Sequence, residues 1–227
     1  MNRLKRTLGI FMLVAFAYGC AVQKGGTGKA DPNKDTLISL NTQFGEVILV
    51  LFPETPGHRR NFLKLSSEKF YDSTTFHRII KNFMVQGGDP NSKDTNPGND
   101  GQGGPGYTIP AEFNPMFTHN QGALAAARMG DMVNPKKESS GSQFYIVDGE
   151  AGSHHLDNGY TVYGQVIKGI EKIQAIASQP KAPSDRPLKD IKMWIKLIPM
   201  KKELVTATYG YDFATHTLKP ELIKPKK

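Results

Sequence analysis

The run Phe76-His77-Arg78-Ile79-Ile80-Lys81-Asn82-Phe83-Met84-Val85-Gln86-Gly87-Gly88-Asp89 sets one guanidinium and one carboxamide among apolar and aromatic side chains. Arg78 carries a charge it cannot lose, on donors held in a rigid fork. Inside a β-branched and aromatic run, which reads as a strand, such a charge needs a reason. One reason is an edge-strand charge in a surface salt bridge. The other is a donor placed beside a greasy surface made by Phe83 and Met84. A donor in that setting stabilises electron density on a substrate oxygen or nitrogen and needs no nucleophile. Other stretches offer less. The glycine-rich segment from Gly87 to Gly106 lacks the GK[ST] of a phosphate-binding loop, and no helical pattern follows it. His154 and His155 are adjacent, and such neighbours rarely converge on one metal ion. No metal and no cofactor is expected.

The elements that must position these residues follow from pattern. Residues 37–41 and 46–52 flank Thr42-Gln43-Phe44-Gly45 and read as a β-hairpin. Thr55 as N-cap with Pro56 at the first helical position starts a helix that runs to about Lys69, with Phe62 and Leu65 on one stripe. Gly122–Arg128 is a run of small residues, which either pack closely or floor a shallow pocket. In Gly141–Val147, period two turns Gln143 and Tyr145 to one face and Phe144 and Ile146 to the other. Ile170, Ile173 and Ile176 mark a second helix, and 190–198 a closing strand. Many short strands with two well-separated helices imply a mainly β protein, a closed barrel capped by two α-helices.

The formal net charge of +8 sits largely in the ends: Arg3, Lys5 and Arg6 lie in a start without acids, and six lysines follow residue 200. No basic stripe with interleaved aromatics runs between them, so nucleic acid is not an expected partner. The single cysteine, Cys20, excludes an intramolecular disulfide. The basic start and the apolar run from Thr7 to Gly19, too short to span a bilayer, fit a secretory signal peptide over residues 1–19. Ala17-Tyr18-Gly19-Cys20 resembles a bacterial lipobox, which makes Cys20 the expected lipidation site. Residues 20–35 then read as a flexible tether. The expected location is the bacterial cell envelope, anchored in the membrane through Cys20, most simply on the periplasmic face of the outer membrane.

The whole string FHRIIKNFMVQGGD resembles the active-site segment of the cyclophilins, a family of peptidyl-prolyl cis–trans isomerases. The layout GGDP…GGPGYTIPAEF, the strand GSQFYIV and the stretch Leu156-Asp157…Val162-Tyr163-Gly164 are similar to the same family. The likeness covers residues 36–199 and leaves 200–227 as an extension without an assigned role. It implies eight antiparallel strands, a monomer, and substrates that are proline-containing polypeptides. It also implies Arg78, Phe83 and Gln86 as catalytic residues. Phe83, Met84 and Tyr145 would line the proline pocket, with Leu156 at its edge. Gln86, Ala127 and Arg128 would hydrogen-bond or border the peptide backbone, Gln143 would line the adjoining groove, and His155 and Tyr160 would also meet the substrate. Ala127 would act through its main chain, and His77 would be a buried structural residue. Tyr145 stands where many members have Phe, Arg128 where they have Asn, and Tyr160 where they have His. His155 replaces the Trp of vertebrate forms, which argues against cyclosporin binding. The alternative reading is a catalytically weak chaperone or binding module on the same fold.

Overall fold

A computed structural model describes residues 31–222; the leader, Cys20 and most of the tether lie outside them. In chain order the elements are β1 (Lys34–Thr42), β2 (Gly45–Leu51), α1 (Pro56–Ser67), β3 (Phe76–Ile80), β4 (Met84–Gly87), β5 (Thr108–Ile109), β6 (Ala123–Ala126), β7 (Ser139–Ser140) and β8 (Phe144–Val147). They continue with β9 (Val162–Lys168), α2 (Ile170–Ala177), β10 (Trp194–Lys201), α3 (Lys202–Tyr209), β11 (Tyr211–Asp212) and β12 (Thr217–Leu218). Eight strands form one antiparallel sheet in the order β10-β1-β2-β9-β6-β8-β4-β3. The sheet is a curled, open half-barrel rather than the fully laddered closed barrel expected. Its edge strands β10 and β3 are not paired with each other. The segments before them meet instead, through Ser73 N–H to Met193 O, Met193 N–H to Thr74 O and Phe76 N–H to Ile191 O, each 2.9 Å.

Alternation along the strands sorts the core. Ile38, Leu40, Val47, Leu49, Ile79, Val85, Leu124, Phe144 and Ile146 face the interior, where Phe62 and Leu65 of α1 and Ile173 and Ile176 of α2 close on them. Their neighbours Leu37, Ile48, Val50, Met84, Ala125, Tyr145 and Val147 form a second apolar layer on the outer face. A strand carrying apolar residues on both faces must be covered on both. Over β1 and β2 the cover is the segment the sequence left unassigned. From α3 and β11 come Val205 and Tyr211, both fully buried in this layer. The Tyr211 hydroxyl pairs with His216 Nδ1 at 2.8 Å, and the His216 ring stands edge-on to Phe52 and Phe117. Gly210 ends α3 in the left-handed conformation, φ 71°.

The start of α1 differs from expectation. Pro56 does occupy the first turn, but the Thr55 hydroxyl turns back to Phe52 O at 3.2 Å and caps nothing. The cap comes from Glu112, distant in sequence. Its carboxylate accepts from the Gly57 amide at 2.8 Å, the His58 amide at 2.9 Å and His58 Nδ1 at 2.6 Å. A full negative charge on the free amides of a helix N-terminus outdoes a neutral hydroxyl. Burial works to raise the Glu112 pKa, but the bonds from His58 and the Gly57 amide outweigh it and hold the carboxyl below its ordinary 4.5.

Two outcomes follow. Phe144 is fully buried and packs edge-on against Phe62, Tyr71 and Phe76. Phe144→Ala is expected to cost about 3–5 kcal/mol in urea unfolding. Glu112→Gln is expected to cost about 1–2 kcal/mol at pH 7. A carboxyl with a depressed folded pKa stabilises above its unfolded value and loses that stabilisation as pH falls. The gap between wild type and Glu112→Gln should therefore close as the pH drops from 4.5 downward, and a gap that stays constant would remove the charge from the account.

Candidate active site

The β3–β4 hairpin carries Arg78, Phe83, Met84 and Gln86. Lys81-Asn82-Phe83 turns the chain, with Asn82 in the left-handed region at φ 62°, a conformation asparagine tolerates better than most. Asp148 clamps this turn: its Oδ2 accepts the Asn82 amide at 2.7 Å, and its own amide donates to Phe83 O at 2.9 Å. Earlier in the hairpin the register shifts between Phe76 and Arg78, so His77 is the extra residue of a bulge. Bulges re-aim the side chain that follows. His77 itself is 6% exposed, as expected of a structural residue. Burial holds its ring neutral against the pull of Asp89 and Asp100.

Beyond the bulge the register is regular and decides the site. Arg78 pairs with Gln86, Gln86 with Tyr145, and Tyr145 with Ala125. These four residues form a lateral row across β3, β4, β8 and β6 on the outer face. Met84 lies on the same face, two residues along β4 from Gln86. Over the row lies an open hollow of about 140 Å³, lined by Arg78, Phe83, Met84, Gln86, Ala127, Arg128, Tyr145, Leu156 and Tyr160. Phe83, Met84, Ala127 and Leu156 give it an apolar side, Gln86 and two guanidinium groups a polar one, and the guanidinium groups have different circumstances. The Arg78 side chain is 42% exposed, with Nε 3.7 Å from Asp185 Oδ2. Asp185 Oδ1 in turn holds Lys181 Nζ at 2.6 Å. The Arg128 side chain is only 6% exposed. It donates from Nε to Gly159 O at 2.7 Å and from Nη1 to Met129 O at 2.9 Å, and it lies 4.4 Å over the Tyr160 ring.

Arg128 borders the hollow with its Nε and Nη1 engaged within the protein. The Ala127 amide already donates to Gln143 O at 3.0 Å, and its carbonyl accepts from the Ser140 amide at 2.8 Å. Its main-chain N–H is therefore not available to a peptide. Gln143 and His155 stand outside the lining. Gln143 is buried and works behind Gln86: its Oε1 accepts from Gln86 Nε2 at 3.2 Å, and its Nε2 donates to the carbonyls of Gly101 and Gly103. That bond leaves the Gln86 carbonyl oxygen for another donor. His155 is exposed and flanks the Phe83 ring, centroids 5.7 Å apart.

His119 and Asp157 escaped the sequence reading. Tyr145 Oη lies 2.8 Å from His119 Nε2, and His119 Nδ1 lies 2.7 Å from Asp157 Oδ1. The tyrosine hydroxyl thus points behind the hollow, not into it. Burial pushes the Tyr145 pKa up and the His119 pKa down, the latter against Asp157. The only signal in the sequence was Tyr145 itself, since a phenol in an apolar wall must find a partner. Among the described residues no group of three or more His, Cys, Asp or Glu could hold a metal ion.

Comparison with known proteins bears on this geometry. The family described as cyclophilin type peptidyl-prolyl cis-trans isomerase/CLD matches residues 37–195. Peptidyl-prolyl cis-trans isomerase CYP18-1 of Arabidopsis thaliana is 36% identical over 160 residues, covering 69% of this chain and 91% of that one. Peptidyl-prolyl cis-trans isomerase B of Bacillus subtilis is 45% identical over 124 residues, covering 53% of this chain and 76% of its own. A cyclophilin type isomerase of Cryptosporidium parvum superposes with a TM-score of 0.61 at 29% identity, covering 72% of this chain and 98% of that one. The same protein was also solved in the presence of the dipeptide Ala-Pro, and that structure covers 70% of this chain at 28% identity. A hairpin that sets an arginine at the rim of an apolar hollow on the sheet's outer wall, in a chain matched over 37–195, belongs to the cyclophilin-type peptidyl-prolyl cis–trans isomerases.

Proposed function

We propose that isomerisation takes place in the hollow beside Arg78, with the proline ring seated against Phe83, Met84, Tyr145 and Leu156. Rotation about an X–Pro bond must give up the C–N double-bond character, against a barrier of about 18–20 kcal/mol. The uncatalysed exchange takes tens to hundreds of seconds. A site lowers this barrier by binding the twisted amide better than either planar form. In the twisted state the imide nitrogen recovers a lone pair. A fixed guanidinium beside it stabilises that density, while the apolar wall strips water from the ring. A single well-aimed donor of this kind is worth about 3–4 kcal/mol. Gln86, held by Gln143 through its amide nitrogen, offers its carbonyl oxygen to an N–H of the flanking chain. The observation that carries this reading is the row Arg78–Gln86–Tyr145, which brings donor, acceptor and apolar wall onto one face. The Asp185 carboxylate, 3.7 Å from Nε, keeps the guanidinium at the rim without covering it.

We also propose the chain's placement: residues 1–19 direct export, Cys20 carries lipid, residues 20–35 tether, and residues 36–199 form a monomeric isomerase unit at the periplasmic face of the outer membrane. Its substrates are folding or exported polypeptides that contain proline. Support comes from the basic start, the apolar run and the sequence Ala17–Cys20.

In a protease-coupled assay on a proline-containing peptide, Arg78→Ala is expected to lower kcat/KM by about 10²–10³, mostly in kcat. Arg78→Lys should recover little, because a point ammonium does not reproduce the planar fork. If wild type and Arg78→Ala turned over alike and near background, the site would be a binding module only. Cys20→Ser is expected to leave the membrane fraction and to lose radiolabelled palmitate. A variant that fractionates and labels like wild type would overturn the anchor.

A further inference from the structure

We propose that His119 is a positioning residue for the isomerase, acting through Tyr145 to fix the wall against which the proline ring lies. The inference rests on the reading of the hollow as the proline site. Tyr145 is 5% exposed and its ring lines the hollow, while its hydroxyl has left that face. A buried phenolic O–H without a partner is destabilising, because its lost hydrogen bond to water is not replaced. In a hollow shaped for an apolar ring, a hydroxyl turned forward would be stripped of water each time substrate entered. Its acceptor must therefore lie behind the wall, and His119 is placed there.

The tautomer is settled by the residue behind His119. Asp157 Oδ1 accepts both from the His119 main-chain amide, at 2.8 Å, and from Nδ1, at 2.7 Å. With the proton on Nδ1, Nε2 carries a lone pair, and the Tyr145 hydroxyl donates to it across 2.8 Å. His119 is fully buried, and its ring lies 12° from parallel with that of Tyr145 at a centroid distance of 5.9 Å. Asp157 is itself steadied by His154, whose Nδ1 lies 3.0 Å from Oδ2. On the other side, Tyr160 meets the Tyr145 ring edge-on at 6.0 Å. The ring is thus pinned at its hydroxyl end and braced at its edge. Releasing the hydroxyl frees the ring to shift toward the hollow and narrow it.

The test is a double-mutant cycle in kcat/KM over wild type, His119→Ala, Tyr145→Phe and the double variant. With the hydroxyl present, His119→Ala is expected to lower kcat/KM about tenfold, chiefly through a higher KM. With Phe at position 145 nothing needs an acceptor, and the same substitution should change kcat/KM less than about twofold. Equal losses in both backgrounds would overturn the proposal. Folding is followed by circular dichroism. A His119→Ala chain that unfolds alone but folds when combined with Tyr145→Phe supports the pairing. Unfolding in both backgrounds assigns His119 to the fold and overturns it. Failure of the underlying reading shows separately: it would appear as an Arg78→Ala protein as active as wild type. A strong Arg78 effect beside an additive cycle would remove the His119 inference alone.

Discussion

The antiparallel register of β3, β4 and β8 is the constraint on which this molecule depends. A slip of one residue would turn Arg78, Gln86 and Tyr145 inward and bring Ile79, Val85 and Ile146 onto the surface. The interior forbids this, because Ile79, Val85 and Ile146 are among its most buried members. The turn forbids it again, since Asp148 grips Asn82 and Phe83 from the neighbouring strand. The packing that stabilises the sheet therefore also aims the donor, and no separate device is needed to carry Arg78 to the rim. The His77 bulge makes one adjustment, setting the twist at which the guanidinium leaves the strand.

Polar groups around the hollow show how little of the site's hydrogen bonding is left free. Arg128, Gln143 and the Ala127 main chain are engaged within the protein. Their work is to hold the loops after β6 and before β5 at fixed distances. The Gln86 carbonyl and the Arg78 fork are the groups proposed to meet a substrate. A site that stabilises a twisted amide benefits from this economy, because each prealigned group has lost its freedom during folding and loses little on binding.

Much of this was legible in the sequence, and the failures have a common cause. Alternation in residues 37–52 and 141–147 placed the strands and sorted their faces, and the string from Phe76 to Asp89 marked the hairpin. What could not be read were partners distant in the chain. Thr55 is a good N-cap by type, yet Glu112 fills that place from 57 residues downstream of it. Arg128 borders the hollow, but its bond to Gly159 O and its place over the Tyr160 ring join parts of the chain that pattern does not connect. His119 lies in an irregular loop without periodicity, and only the fold shows the phenol it serves. The closed barrel was an overstatement of the same kind. Local pattern counts strands but does not show whether the first and last pair, and here β10 and β3 remain edges.

The C-terminal segment bears on how this chain could be shortened. The family match ends at residue 195, whereas Val205 and Tyr211 lie over Leu37, Ile48, Val50 and Phe52. Trimming the protein to its recognisable span would bare an oily strip along β1 and β2, in the same apolar layer that holds Met84 and Tyr145. Two such fragments would press these strips together, so a truncated preparation would self-associate with rising concentration.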